Sequence, residues 1–281
     1  FLVVVNGEAV VLGHPDLNTI AAVGPYGLVG ELGLLTRRPR SHDVVATTHL
    51  HALHGDIDTF TTALDHDPVR THFGQVAARR MAEAVSPITW TAKDGSDIIL
   101  RPLLPRDRDA YLRALGQVST DTLRSRFFTP VQPSQKVIDH LLDVDFVTQF
   151  AWIVARAETP DVGLGIGRFI ADQEHPGRVE LAVTVLDGAQ GTGLGTTLVG
   201  AVATAAYAMG YRELSAYVLS TNRPMRAILD KCGAHWKHFE PGVVETVVPL
   251  GDVTAALTTE LTAELAQATK GLAIAASLAL S

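Results

Sequence analysis

Three closely spaced glycines in the middle of the chain are the residues best suited to chemistry. Gly191, Gly193 and Gly195 stand between a β-branched run, 179–185, and an apolar segment with helical spacing, 195–209. Because glycine has no Cβ atom, its backbone N–H groups can approach a ligand closely, and a following helix points its positive end at the same place. A strand, a glycine loop and a helix in this order can bind a pyrophosphate. The sequence therefore predicts a diphosphate site at this loop.

Other phosphate-binding families also use a glycine loop before a helix, and the spacing of their residues distinguishes them. A P-loop would need Gly-Lys-Ser or Gly-Lys-Thr, which the sequence lacks. A dinucleotide fingerprint would need a third glycine where Thr196 stands and an acidic residue at the end of the next strand, whereas Glu213 lies near that strand's start. Taken alone, the six-residue glycine-rich segment 190–195 also fits a plain tight turn.

The spacing of the loop resembles a known family. QGTGLG at 190–195 is similar to the acetyl-CoA loop of the GNAT family, the Gcn5-related N-acetyltransferases. About thirty residues on, NRPM at 222–225 and LDKCGA at 229–234 resemble that family's second segment beside the cofactor. The resemblance covers about residues 96–250 and implies an enzyme that uses acetyl-CoA as co-substrate.

The resemblance also implies where the cofactor is held. In GNAT proteins the strand before the loop splays from its neighbour, so that its backbone groups pair with the pantetheine arm, while the loop amides hold the pyrophosphate. The asparagine of the second segment is implied to contact the cofactor or the splayed strands. The expected cofactor-binding residues are Val183, Thr184, Val185, Gln190, Gly191, Thr192, Gly193, Leu194, Gly195, Thr196 and Asn222.

One carboxylate lies upstream of the loop in a position to act as a base. Strand alternation places Glu180 on the face opposite the apolar residues of 179–185. A lysine with a pKa of about 10.4 is protonated at neutral pH and must lose a proton before it can accept an acetyl group. A carboxylate in reach can remove that proton. The strand pattern alone also fits an exposed glutamate, but GNAT enzymes often carry their base at this place.

The sequence departs from the family where many members have a tyrosine that acts as the general acid. Leu229 stands at that position, seven residues after Asn222. Because a thiol has a pKa of about 8.5, the thiolate can leave without a dedicated acid. The sequence therefore leaves the general acid unassigned.

The elements that would position these residues alternate between strands and helices, which implies an α/β or α+β layer fold. The resemblance to the GNAT family implies the α+β fold, with a mixed sheet flanked by helices. We expect a hairpin at Asn6-Gly7, a dipeptide that accepts the positive φ of a tight turn. The other predicted elements are strands at 43–54, 97–102, 150–155, 164–171, 179–185 and 213–219 and helices at 68–84, 107–117, 195–209, 223–232 and 252–276.

A second motif lies near the amino end. GELGLL at 30–35 followed by PRS at 39–41 is similar to the phosphate-binding cassette of cyclic-AMP receptor modules. Glu31 can accept from a ribose hydroxyl and Arg40 can pair with a cyclic phosphate. The expected cyclic-nucleotide-binding residues are Gly30, Glu31, Leu32, Gly33, Arg40 and Ser41. The bulk and negative charge of the His42-Asp43 pair that follows would weaken such binding.

Composition limits the class of protein. The chain of 281 residues is 47% hydrophobic and 19% charged, without an apolar run of the roughly 20 residues that span a bilayer, so we expect a cytoplasmic protein. The formal charge of −7 argues against a nucleic-acid partner. Cys232 is the only cysteine, and His49, His51 and His54 lack a cysteine or carboxylate at metal-ligand spacing, so no metal site is predicted.

The two motifs divide the chain into three parts. Residues 1–86 are predicted to form part of a cyclic-nucleotide-binding domain with a linker helix, 87–250 a GNAT acetyltransferase domain and 251–281 a helical tail. Because the chain begins at Phe1 in mid-strand, we expect part of a longer protein, in which the β-roll of the first domain is truncated.

Together the motifs resemble the mycobacterial cyclic-AMP-regulated protein lysine acetyltransferases. The resemblance implies transfer of an acetyl group to a lysine on a protein, plausibly an acyl-CoA synthetase, with cyclic AMP as effector and the linker helix as lever. Two alternatives remain open at this stage. One is an N-acetyltransferase for small amines, and the other is a cyclic-nucleotide sensor whose acetyltransferase domain is inert.

Overall fold

The computed structural model describes residues 1–13, 17–37, 39–40, 42–254 and 257–280. Ser41, an expected cyclic-nucleotide-binding residue, lies outside the described residues. The chain separates into two compact units, one of residues 1–78 with 274–281 and one of residues 79–273. The predicted division into three parts stays a prediction.

The first unit contains two antiparallel three-stranded sheets. Their strands are β1 (Leu2–Asn6), β2 (Ala9–Leu12), β3 (Thr19–Val23), β4 (Leu28–Val29), β5 (Asp43–Ala46) and β6 (His51–His54). One sheet has the order β4-β1-β6 and the other has the order β3-β2-β5. The β-rich start of the chain is therefore as expected.

The hairpin predicted at Asn6-Gly7 is wrong. Gly7 has a φ of +91°, as a tight turn would require, but β1 and β2 belong to different sheets. The predicted strand 43–54 is broken into β5 and β6, which pair with β2 and β1 respectively. Gly7 is needed because a Cβ there would lie 2.3 Å from the carbonyl oxygen of His49, in the segment between β5 and β6. The positive φ thus serves a bend in a long ribbon.

Helices close the first unit over an aromatic cluster. They are α1 (Glu31–Thr36), α2 (Ile57–Leu64) and α3 (Asp67–Glu83). Asp56 caps α2 by accepting a hydrogen bond from the N–H of Thr59 at 2.8 Å. Leu28, Phe60 and Phe73 are buried together, with the rings of Phe60 and Phe73 5.4 Å apart. The predicted helix 68–84 is present as α3.

The second unit is built on one mixed sheet of eight strands. In spatial order these are β13 (Lys237–Glu240), β14 (Val243–Pro249), β12 (Glu213–Leu219), β11 (Arg178–Val185), β10 (Thr159–Ala171), β9 (Gln149–Arg156), β8 (Asp97–Pro102) and β7 (Ile88–Thr91). Neighbouring strands are antiparallel except β11 and β12, which are parallel. Helices pack against this sheet, so the predicted α+β fold is confirmed.

The helices of the second unit include two that the sequence did not suggest. Those present are α4 (Arg108–Leu115), α5 (Thr120–Phe127), α6 (Gln135–Leu142), α7 (Leu194–Ala208), α8 (Arg223–Asp230), α9 (Leu250–Thr254) and α10 (Thr259–Leu280), of which the residues from 274 onwards belong to the first unit. Of these, α5 and α6 were not predicted. The single helix predicted at 252–276 is divided between α9 and α10. Among the described residues, no helix combines the length and the apolar character needed to cross a membrane.

Helix α7 lies directly on the middle of the sheet and orients the glycine loop that precedes it. Trp152 on β9 is wholly buried and donates from Nε1 to the carbonyl oxygen of Ala201 on α7 at 3.1 Å. The helix approaches β10 closely because Gly167 has no side chain: a Cβ there would lie 3.0 Å from Val202 and 3.1 Å from Leu198. This contact sets the distance between helix and sheet.

Gly167→Val should therefore destabilise the second unit by about 2 kcal/mol, because the added methyl groups push α7 away from the sheet. Gly163→Val is the matched control on the same strand, since a Cβ at Gly163 would meet nothing within 4 Å. Urea unfolding followed by circular dichroism measures the two free energies. Equal stability of the two variants would contradict the role given to Gly167.

Candidate active site

Strands β11 and β12 run side by side and then separate. Their pairing consists of Arg178 with Glu213, Val179 with Leu214 and Glu180 with Ser215, and it ends there. On its other side β11 stays paired with β10 as far as Val185. From residue 181 onwards, one edge of β11 therefore faces an opening within the sheet.

Backbone groups of alternate residues point into this opening. The N–H of Leu186 donates to the oxygen of Leu164 at 2.8 Å, so even-numbered residues of β11 bond towards β10. Val183 and Val185 consequently turn their N–H and C=O groups to the open edge. Thr184 does not, which corrects the expectation that its backbone is free for a cofactor. Its side chain instead lines a cavity on the sheet face that carries α4 and α5.

The glycine loop lies at the end of β11 and presents unused backbone donors. Gly191 and Gly193 have φ values of +81° and +96°, and Gly193 is the residue that precedes α7. Among the described residues, the amides of 191–196 donate to no acceptor. Gln190 and Gly191 are exposed, so the loop is open to solvent. The predicted phosphate cradle is thus present in shape, with its donors available and the positive end of α7 behind them.

A lysine from a distant hairpin lies over this loop. The aliphatic stem of Lys93, in the turn between β7 and β8, would be 3.4 Å from a Cβ placed on Gly193, and its N–H donates to the oxygen of Thr192 at 3.4 Å. The turn is held by the hydrogen bond from Ala92 N–H to the oxygen of Ser96 at 2.9 Å. Sequence reasoning missed Lys93 because nothing in its own neighbourhood marks it as a phosphate ligand.

Glu180 lines a cleft where β11 and β12 separate. The residue as a whole is exposed, yet its carboxylate is partly desolvated by the cleft walls, and this desolvation raises its pKa. The cation of Arg126 acts in the opposite direction, and the negative charge of Asp172 adds to the increase. A carboxylate with a raised pKa in a cleft is suited to accept a proton.

Two further side chains lining the cleft were not predicted. Arg126 comes from α5; burial lowers the pKa of its guanidinium, against the raising effects of Tyr111 and Glu180. Tyr217 comes from β12, two residues beyond Ser215, and so lies on the same face of the sheet as Ser215 and its partner Glu180. Burial, followed by the charge of Glu245, raises the pKa of its hydroxyl, which therefore stays protonated at neutral pH. Strand alternation could have identified Tyr217.

The second predicted segment lies beside the same cleft. Asn222 lines it and caps α8 by accepting a hydrogen bond from the N–H of Met225 at 3.2 Å. Leu229, in the place where many GNAT proteins have a tyrosine, is wholly buried in the core. Helix α8 therefore offers no proton donor at that position.

In the first unit, part of the expected cyclic-nucleotide cassette is brought together. Gly30 has a φ of +84° and precedes α1, and Glu31 is wholly buried. The guanidinium of Arg40 lies so close to Gly30 that a Cβ there would be 2.8 Å from Nη1. The remaining expected residues, Leu32 and Gly33, are part of α1 and are half-buried.

Histidines do not form a metal centre in the described part of the chain. The rings of His49 and His51 lie 5.0 Å apart. No group of three or more histidine, cysteine, aspartate or glutamate side chains that could hold a metal ion occurs among the described residues.

Comparison with known proteins relates both units to acetyltransferases. The family described as "Acetyltransferase (GNAT) domain" matches residues 97–235. Acetyltransferase Pat of Mycolicibacterium smegmatis is 32% identical over 249 residues, which cover 88% of this chain and 74% of that protein. This match extends well beyond the acetyltransferase domain.

Solved structures give the same result. The cAMP-binding acyltransferase from Mycobacterium smegmatis is 27% identical with a TM-score of 0.55, covering 98% of this chain and 83% of that one. The GNAT domain of S. lividans PAT is 24% identical with a TM-score of 0.53, covers 58% of this chain and 96% of that one, and supports the fold. On these grounds the chain belongs to the GNAT acetyltransferases, in the group that includes Acetyltransferase Pat.

Proposed function

We propose that the protein transfers the acetyl group of acetyl-CoA to the ε-amine of a lysine on another protein, under the control of cyclic AMP. The observation that carries the proposal is the position of Glu180. This carboxylate lies where β11 and β12 separate, beside an open strand edge that leads to a loop of unused amides.

The residues present fit coenzyme A. The amides of 191–196 and the positive end of α7 would hold the diphosphate, and Lys93 would add a charge. Val183 and Val185 would pair with the amides of the pantetheine arm, while Asn222 borders the cleft in which that arm ends. When bound, acetyl-CoA supplies the acetyl group as a thioester.

Glu180 would remove the proton that keeps the acceptor lysine unreactive. Its raised pKa makes it a better proton acceptor than an ordinary exposed glutamate. Arg126 contributes a second effect, because its positive charge in the same cleft disfavours an ammonium and favours the neutral amine. Tyr217 keeps its proton at neutral pH and can donate a hydrogen bond to the departing sulfur.

The lining of the cleft supports a lysine on a protein over a small polyamine. Among the described residues that line it, Glu180 is the only carboxylate, whereas a polyamine with several ammonium groups would need several. Phe128 at the rim is 41% exposed and offers an apolar contact for the stem of a lysine. An acyl-CoA synthetase is the first acceptor to test, because the sequence resembles enzymes that act on such proteins.

Control by cyclic AMP rests on the first unit. The solved relative that covers 98% of this chain is described as cAMP-binding. In this chain the guanidinium of Arg40 lies against Gly30, beside the buried Glu31. A cation next to a glycine is suited to a phosphate oxygen, and the neighbouring carboxylate is suited to a ribose hydroxyl. Helix α3 is the segment that would carry the signal along the chain.

Glu180→Gln should lower kcat by a factor of about 10² to 10⁴, with little change in acetyl-CoA affinity, because it removes the base and keeps the shape of the cleft. In the native protein, kcat/KM should rise with pH through the raised pKa of Glu180, and this limb should vanish in the variant. Labelled acetyl-CoA with a lysine acceptor measures the rates, and calorimetry measures the affinity.

Glu158→Gln is the control for the same charge change, since Glu158 lies exposed in the turn after β9.

The stability of the protein gives a second readout. Folding raises the pKa of Glu180, because the folded protein holds this proton more tightly than the unfolded chain does. The stability of the protein therefore falls as pH rises through the raised pKa. Glu180→Gln should therefore not lower Tm at neutral pH. Equal losses of affinity and turnover would refute the assignment.

Lys93→Ala should weaken acetyl-CoA binding about fivefold, because it removes one exposed positive charge from the diphosphate. Lys136→Ala on α6, which removes another exposed lysine, is the control and should bind normally. Calorimetry with CoA and with dephospho-CoA locates the contact. The same fold-loss with both ligands indicates the diphosphate, and a loss with CoA alone would place Lys93 at the 3′-phosphate instead.

Arg40→Ala should weaken binding of cyclic AMP by about tenfold to a hundredfold, because it removes the charged partner of the phosphate. Arg37→Ala, an exposed arginine three residues earlier, is the control. Binding is measured by calorimetry.

A separate assay measures acetylation of proteins and of spermidine, with and without cyclic AMP. Acetylation of spermidine alone, or no response to cyclic AMP, would contradict the corresponding part of the proposal.

A further inference from the structure

Helix α5 supplies one wall of the Glu180 cleft, and its Leu123 packs in a small cluster with Leu115 and Ile138. Ser125 and Arg126 near its end, and Phe128 just after it, line the cleft. Leu123 is the only residue of its eight that is fully buried. Since an isolated helix of this length is not stable in water, α5 depends on this packing and on contacts at its start.

Those contacts come from one carboxylate beside the glycine loop. Asp187 accepts from the N–H of Ser119 at 3.0 Å, from the hydroxyl of Ser119 at 2.7 Å and from the hydroxyl of Thr122 at 2.8 Å. The hydrogen bond from the Ser119 hydroxyl is the largest cause of a lowered pKa for Asp187, so this carboxylate stays ionised at neutral pH. The start of α5 is thereby tied to the segment between β11 and the loop.

Gln190 extends this network to the open strand edge. Its Nε2 donates to the hydroxyl oxygen of Thr122 at 3.1 Å and to the carbonyl oxygen of Val185 at 3.2 Å. The Val185 carbonyl is one of the groups that face the open edge of β11. A pantetheine arm that pairs with this edge would compete with Gln190 for that oxygen. Filling the edge would therefore change the hydrogen bonds of Thr122 and of Asp187 behind it.

We propose that Asp187 is a positioning residue that couples filling of the coenzyme A site to the placement of α5, the wall of the acceptor cleft. The inference deepens the proposed function and rests on it. Gln190, Thr122 and Asp187 form a continuous chain of donors and acceptors from the cofactor edge to the helix. Through α5, this chain sets where Arg126 lies relative to Glu180. Coenzyme A would thus organise the cleft before the acceptor lysine enters.

Hydrogen exchange of the full chain with and without free CoA tests the coupling, and it needs no acceptor. In the native protein, CoA should slow exchange about fivefold or more both in 190–196 and in 120–127. In Asp187→Asn, CoA should still slow exchange in 190–196 and no longer in 120–127. A carboxylate with only a structural role would raise exchange in α5 equally with and without CoA.

Thr122→Val is the second variant, because it breaks the link to Gln190 while Asp187 keeps its bonds to Ser119. It should also lose the response of 120–127, with α5 intact. Asp139→Asn is the control, since Asp139 is a carboxylate on α6 that accepts from Arg108 and Gln135.

The outcomes separate the two proposals. Slowed exchange in 190–196 without any response of 120–127 in the native protein overturns the coupling and leaves the proposed function standing. An equal response of 120–127 in the native protein and in both variants also overturns it. No effect of CoA on 190–196 in the native protein overturns the proposed function and the coupling with it.

Discussion

The end of the hydrogen bonding between β11 and β12 is the constraint on which the rest of the structure depends. The two strands pair as far as Glu180 and Ser215, and beyond that point β11 keeps only its partner β10. Any longer pairing would consume the backbone groups of Val183 and Val185 and close the cleft around Glu180. The sheet lacks strand-to-strand hydrogen bonds at this place, and the backbone groups left unpaired on β11 form the candidate site.

The remaining elements hold that opening in a defined shape. Gly167 lets α7 lie close to β10, which orients the loop amides at the helix start. Helix α5 approaches from the other face of the sheet and brings Arg126 to the carboxylate. Two effects in the cleft act on the pKa of Glu180 in opposite directions, since desolvation raises it and the charge of Arg126 lowers it. The balance suits a group that must take a proton and release it in each cycle.

Local pattern was enough to predict some of this and not the rest. The loop, the strand that carries Glu180 and the face on which it lies follow from glycine spacing and alternation within a few residues. The side to which Thr184 bonds depends on the register of β10, which distant residues determine. Lys93 and Arg126 reach the site only through tertiary packing. The hairpin at Asn6-Gly7 was wrong because a positive φ serves both a tight turn and a bend in a ribbon.

An unpaired strand edge invites a foreign strand to add to it, which is the usual start of aggregation. In this protein the side chain of Gln190 donates to the carbonyl of Val185 and so occupies part of that edge when nothing else is bound. A single side-chain amide is too small to be extended into a strand and is readily displaced by a ligand. The same residue that belongs to the ligand loop therefore also satisfies one backbone acceptor of this edge when no ligand is bound.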